Sequence, residues 1–439
     1  MGWIKKITVF IIGLIAILAI SFFVFKYYRS SKAENLKIPE NTASVIRLNV
    51  DDLLVKMFKN SLSNYSEYYG SKKDSSSVED KPKLWNIGVH IPAKLYMFSL
   101  SDTSYQYFGI LEVSNSNKIK SFLQNQLSIN PDSTVQNLEK GQEYYSSKEL
   151  KVLLNAEKLV FSIGGKEDLE SLKSLIQADQ SNWVLANNFE AELKEVRGAD
   201  LSYVDRNENW ASVDFKDGKF DLKGYIKSSL FGFPAKPVQV SKSEDYVLHL
   251  SLNSDLSLIL KEKEAALEKF KLPIDSLHKY IGNYAAVELL DKEVMESDTI
   301  ITYDYDDNFE MVEKKEVNQV EVPALAFQVK ASPHLLGYLP EKMFYKFSKN
   351  YSDGFIHLST IPTPSASSAS LKPSENVFEM YYQKKANADK YLSWLPNYDK
   401  IQAGTLFGQA EDANIMRLNG EFKLENSRLN AFYQIFVAM

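Results

Sequence analysis

The chain has 439 residues, of which 44% are hydrophobic and 13% aromatic. That is enough apolar material for two cores of roughly 200 residues each, and it excludes wholesale disorder. A formal net charge of −6 with no long basic block argues against nucleic-acid binding, which needs a concentrated basic face, and the absence of cysteine removes disulfides, thiolate metal sites and cysteine nucleophiles.

Residues 1–6 read as a short cytoplasmic tail carrying Lys5 and Lys6. Residues 7–25, ITVFIIGLIAILAISFFVF, then run without a charge. At about 1.5 Å per residue this stretch is just long enough to cross a hydrocarbon core of about 30 Å. Trp3 before it and Tyr27 and Tyr28 after it are placed as interfacial anchors. A cleaved signal peptide is the rival reading, but the small-residue sequence Ser31-Lys32-Ala33 lies too far beyond the apolar run for a cleavage site. Lys5 and Lys6 on one side face Lys26, Arg29 and Lys32 on the other, so flanking charge sets no direction. A short tail, one anchor and a large domain predict a single-pass protein of the inner membrane with its main part in the periplasm.

Residues 26–38 read as a polar tether, 39–236 as a first α+β domain and 237–439 as a second. Residues 43–50 alternate like a half-buried strand, and Asp51 or Asp52 then caps a helix through Leu54, Met57, Phe58 and Leu62. The phrase returns at 246–253, where Ser254 or Asp255 opens a helix through Leu256, Ile259, Leu260, Leu267 and Phe270. Each half also ends in a predicted hairpin, 210–229 turning at Asp217-Gly218 and 415–437 turning near Asn426-Ser427. Two matching ends at similar spacing point to an internal duplication.

An aromatic-rich strand, a polar turn and a helix recur at 107–127, 159–176, 325–343 and 377–395, while 134–163 gives strand after strand. The expected fold is α+β, with an N-terminal transmembrane helix followed by two related, largely antiparallel sheet-plus-helix domains. Residues 70–83 and the Ser/Pro-rich 360–376 read as loops. Residues 299–315 alternate on both sides of Asp306-Asp307-Asn308, predicting a hairpin insertion. Its Tyr303, Tyr305, Asp306, Asp307 and Phe309 form a candidate interaction surface, although such turns are chiefly structural.

With the anchor, the lead Ile38-Pro39-Glu40-Asn41-Thr42-Ala43 into a strand and Phe161-Ser162-Ile163-Gly164-Gly165 before a helix, the layout resembles uncharacterised, membrane-anchored envelope proteins of the Bacteroidota, over most of 38–439. The resemblance implies location and architecture rather than mechanism. Asp132-Ser133-Thr134, Asp275-Ser276-Leu277 and Asp298-Thr299-Ile300 are similar to the O-glycosylation sequon of that phylum, which implies export.

Chemistry-bearing motifs are missing. His90, His249, His278, His334 and His357 are never within four positions of one another, whereas a metal site needs converging ligands. His249 matches Arg47 in the proposed repeat, and both are expected on an exposed strand face. Asp304-x-Asp306-x-Asn308 and Asp205-x-Asn207-x-Asn209 imitate calcium loops but put Phe309 and Trp210 where glycine is needed, and Lys315 and Lys216 where a carboxylate is needed. Gly164-Gly165 stands before a helix without either phosphate-binding motif, and no G-x-S-x-G is present. The reading is therefore no catalytic residue, no cofactor and no metal. A membrane-anchored envelope protein that binds or scaffolds a protein partner is expected. A carrier for lipid or another apolar ligand is the first alternative, and a carboxylate-dependent envelope hydrolase the second.

Overall fold

A computed structural model describes residues 24–69, 87–102, 104–132, 135, 138–165, 169–189, 194–269, 273–305, 311–361, 371–395 and 397–437. The predicted anchor lies outside them apart from its last two positions, as does Trp3. Among the described residues no helix is long and apolar enough to cross a membrane. The chain divides into two compact units, Met1–Phe215 with Arg428–Phe432, and Lys216–Ser427 with Tyr433–Met439. The structure is α+β with antiparallel pairing throughout its sheets.

The first unit opens with helix α1 at residues 24–34. The expected tether is thus largely helical, because its charges pair with the unit and Ala33 is buried. The strands are β1 (Lys37–Ile38), β2 (Ser44–Leu48), β3 (Val89–His90), β4 (Leu95–Ser99), β5 (Tyr107–Val113), β6 (Glu143–Ser146), β7 (Leu150–Leu154), β8 (Lys158–Ile163), β9 (Val184–Leu185), β10 (Leu201–Asp205) and β11 (Trp210–Lys216). Helices α2 (Val50–Ser63), α3 (Tyr65–Tyr69), α4 (Ser116–Asn125), α5 (Leu169–Gln177) and α6 (Lys194–Arg197) fall between them. The sheet order is β11-β10-β2-β4-β5-β8-β7-β6, with β3 also beside β5.

Near-continuous apolar runs in β7 (LKVLL) and β8 (KLVFSI) mark a sheet covered on both faces. Leu153 and Val160 meet Leu172, Leu175 and Ile176 of α5 on one face. Val152, Leu154 and Phe161 meet Ile119 and Leu123 of α4 on the other. Asn115 caps α4 by accepting from the Lys118 N–H. At α2 the expected Asp cap is absent. Asn49 is the N-cap and its amide donates to Asp52 at 2.6 Å, so the carboxylates sit in the first turn, where the helix dipole favours them.

The second unit contains β12 (Lys219–Lys227), β13 (Val238–Gln239), β14 (Tyr246–Asn253), β15 (Ile281–Tyr305), β16 (Met311–Ala331), β17 (Ser348–Ser352), β18 (Phe355–Ser359), β19 (Lys372–Pro373), β20 (Phe378–Gln383), β21 (Ile401–Asp412) and β22 (Ile415–Leu424). Its helices are α7 (Leu256–Glu262), α8 (Glu264–Glu268), α9 (Ile274–Tyr280) and α10 (Ala388–Leu392). The sheet order is β12-β22-β21-β20-β14-β15-β16-β18-β17. Asp255 caps α7 as its sequence predicts, accepting from the Ser257 N–H.

The closing hairpin differs from expectation. β22 pairs back onto β21 through a turn at residues 413–414, and Tyr433–Val437 is helical. The Gln434 side chain holds that ending by bonding both the N–H and the C=O of Asn426. The predicted 299–315 hairpin forms as the outer part of β15 and β16, which pair from Ile281↔Ala331 to Tyr305↔Met311. Pairing with β14 ends at Leu290 and with β18 at Ala326. Beyond Glu293 and Pro323, therefore, the two strands form a ribbon with no further strand partner among the described residues.

Candidate functional site

A groove of about 680 Å³ lies in the first unit, bounded by α1, α2, the segment 89–93 and the end of β5. Its walls carry Phe25, Leu54, Val55, Ile91, Ile110 and Leu111, and its rim carries Lys26, Arg29, Lys32, Asp51 and Glu112. The rim charges arise from two local patterns. Cations follow the apolar run at spacings of three, so they share one face of α1. Acids fill the first turn of α2.

The rim charges pair across the groove. Arg29 binds Asp51 through both arms, Nε to Oδ2 at 3.0 Å and Nη2 to Oδ1 at 2.9 Å, and also donates to the Ile91 carbonyl at 3.0 Å. Such fork-on-carboxylate geometry is the directional form of an ion pair. Lys26 bonds Asp52, Lys32 meets Glu112 at 3.1 Å, and Lys94 meets Glu34 of α1 at 2.7 Å. Burial acts to raise the Asp52 carboxyl, but hydrogen bonds from Lys26 and Asn49 and the charges of Lys26 and Lys56 outweigh it, holding the group below its usual value. The groove is thus an apolar trough with a fixed ionic rim. It suits an apolar chain with a polar head.

The residues singled out from sequence are distributed differently. Tyr27 and Tyr28 are exposed on α1, and Tyr28 lines the groove. Tyr303 and Tyr305 lie in β15 opposite Glu313 and Met311, while Asp306, Asp307 and Phe309 lie outside the described residues. The Asp205 carboxylate of the imitation calcium loop is used by its own turn, accepting from the N–H groups of Asn207 and Asn209 and from the Asn209 amide. Gly164 and Gly165 both adopt φ near +70°, and a Cβ on Gly164 would lie 2.5 Å from the Tyr105 carbonyl oxygen, so this is a tight turn. Among the described residues no group of three or more metal-ligating side chains converges.

The expected exposed face of β2 and β14 is instead buried, with Arg47 at 1% and His249 at 3% exposure. The Arg47 guanidinium donates to the carbonyls of Val196, Arg197 and Ala199 around the end of α6, where helix carbonyls lack partners. His249 Nδ1 lies 2.9 Å from Glu288 Oε1, which also accepts the Ser243 N–H at 3.0 Å. Tyr284 Oη accepts from the Val240 N–H, and Asn253 bonds both the N–H and the C=O of Val238. This polar face holds the strap 238–243. No periodicity announces it, since a polar residue at every second position reads as a solvated strand face. The Asp200 carboxyl is held above its usual range by burial, together with the charge of Asp214, against the lowering effects of Lys56 and the Phe215 N–H. It lies away from the groove lining.

No protein-family model matches the sequence, and no curated protein matches it. Among solved structures, crystal form IV of TP0453 aligns at 10% identity with a TM-score of 0.26, covering 44% of this chain and 82% of that one. Crystal form III aligns at 10% identity and 0.23, covering 74% and 90%, and form I at 9% and 0.22, covering 74% and 92%. Scores of this size carry no argument about fold or function.

Proposed function

We propose that this chain is a membrane-anchored, periplasmic envelope protein that binds without catalysis, and that its first unit takes up an apolar-chain ligand in the groove beside α1. The observation that carries the reading is the groove itself. Its volume of about 680 Å³ falls within the range of about 300–1,000 Å³ common to ligand sites. Its apolar walls lie next to the last residues of the predicted anchor, where an acyl chain would enter from the bilayer. An internal duplication accompanies this reading. It is supported by strand order, since β11-β10-β2-β4-β5-β8-β7 and β21-β20-β14-β15-β16-β18-β17 run through the two sheets in the same succession.

The test is a photoreactive fatty acid crosslinked to the full-length protein in its membrane. Label should concentrate on peptides containing residues 25–36, 51–55 and 110–112. Leu54→Trp, which narrows the groove at its α2 wall, should reduce labelling about tenfold, the equivalent of about 1.4 kcal/mol. Equal labelling of the variant, or label spread over both units, would defeat the reading.

A second reading, contact with a protein partner, rests on the ribbon of β15 and β16. Its open edges leave backbone donors and acceptors available to another strand.

A further inference from the structure

α2 and α3 carry four large side chains left at least half exposed, of which Tyr65 and Tyr69 touch each other with ring centroids 4.7 Å apart. Phe58, Leu62, Tyr65 and Tyr69 are 63%, 65%, 68% and 50% exposed. Phe58 and Leu62 stand four apart on α2, and Tyr65 and Tyr69 four apart on α3, so each helix presents one exposed pair, the two pairs meeting at the break at Asn64. The opposite face is held firmly. Leu53 and Asn60 are buried. The Asn60 amide donates to the Arg428 carbonyl at 2.8 Å, while its oxygen accepts from Tyr68 Oη at 2.6 Å and from the Asn430 N–H at 3.0 Å. The orientation of α2 is therefore fixed by the unit, and the stripe is left outward by design of the packing rather than by fraying.

We infer that this stripe lies on the lipid surface, as an in-plane contact beside the anchor. Three observations favour lipid over another occupant. The apolar run ends at Phe25, and Lys26 and Arg29 grip Asp52 and Asp51 in the first turn of α2. Four residues of helix advance about 6 Å, so the first turn of α2 is held near the point where the apolar run ends, and Phe58 follows Asp51 by about 10 Å along α2. The stripe is also continuous in character with Val24, Tyr27 and Tyr28, exposed at 62%, 78% and 66% on α1. Finally, three of its members are aromatic and two are tyrosines, an amphipathic composition suited to the interface between headgroups and chains. This inference rests on the anchored reading given above but needs no ligand in the groove.

The chain has no cysteine, so single cysteines can be labelled without background. Full-length Leu62→Cys, Tyr65→Cys and, as a control on another face of α2, the exposed Ser63→Cys would be labelled with an environment-sensitive fluorophore. They would then be reconstituted in phosphatidylcholine–phosphatidylglycerol vesicles. Shallow doxyl-labelled lipid should quench the probes at 62 and 65 at least twofold more than at 63, and aqueous iodide should show the reverse order. Iodide quenching that is equal at all three positions would overturn the inference. So would positions 62 and 65 being shielded from both quenchers, which would mean that protein covers the stripe.

Discussion

At the scale of single residues, the informative groups are acids whose environments act in opposite directions. Asp52 is held below its usual pKa, because Lys26 and Asn49 outweigh its burial. Above the unfolded-state value the unfolded chain gains nothing by keeping its proton, and the full stabilisation is present. As pH falls through the lowered folded value, that stabilisation is lost. Asp200 is shifted upward, so its folded form keeps a proton that the unfolded chain releases, and stability declines as pH rises through the raised value. Urea midpoints measured across the acid range should therefore separate two variants. Relative to the native chain, Asp52→Asn should lose ground as pH rises, and Asp200→Asn should gain it. Lys56→Met, which removes the ammonium 2.7 Å from buried Asp200, should cost about 1–3 kcal/mol. That is less than the roughly 3–5 kcal/mol of a fully buried pair, because Lys56 is partly exposed. None of this was readable from sequence. Asp51 and Asp52 looked like alternative caps, and only the fold shows them facing Lys26 and Arg29.

At the scale of elements, local pattern and structure agree best at the strand-to-helix junctions of the first unit. The strand-to-helix units at β5–α4 and β8–α5 stand where aromatic alternation gives way to helical spacing. The unit expected at 325–343 ends in a short 3-10 turn at Pro333–Gly337 instead of a longer helix, with Pro333 at its start and Ser332 as its cap. The ribbon of β15 and β16 was legible because alternation continued far past the length of an ordinary strand. From Glu293 to Tyr305 it extends about 40 Å at about 3.3 Å per residue. Its base is held by Lys346, which donates through its N–H to Glu296 and through Nζ to the Ser297 carbonyl. Replacing residues 299–315 by an Asn-Gly turn should therefore leave the second unit's unfolding free energy, read from urea denaturation, within about 0.5 kcal/mol of native. The same deletion should abolish crosslinks to an envelope protein in intact cells. Unchanged crosslinks would remove the ribbon from consideration as a partner surface.

At the scale of the whole molecule, the compact units do not follow the halves of the chain. Arg428–Phe432 belongs to the first unit although the residues on either side belong to the second. Asn60 in α2 depends on it for two hydrogen bonds, with Arg428 and Asn430. A fragment ending at residue 215 should therefore exchange its α2 amides at least tenfold faster than the full chain, a difference that hydrogen-exchange mass spectrometry resolves; equal protection would show that the segment is dispensable. The sequence by itself determined the class of the fold, the positions of most strands, the ribbon and the paucity of catalytic motifs. Those features rest on local periodicity and on residue types that are either present or absent. Only the tertiary structure decided that the charged stretch after the apolar run is a docked helix, that Arg47 and His249 point inward, and that a groove lies beside α1. Each of these depends on which distant segments meet, and burial of a polar side chain is set by partners far along the chain, as Val196 and Ala199 are, 149 and 152 positions from Arg47.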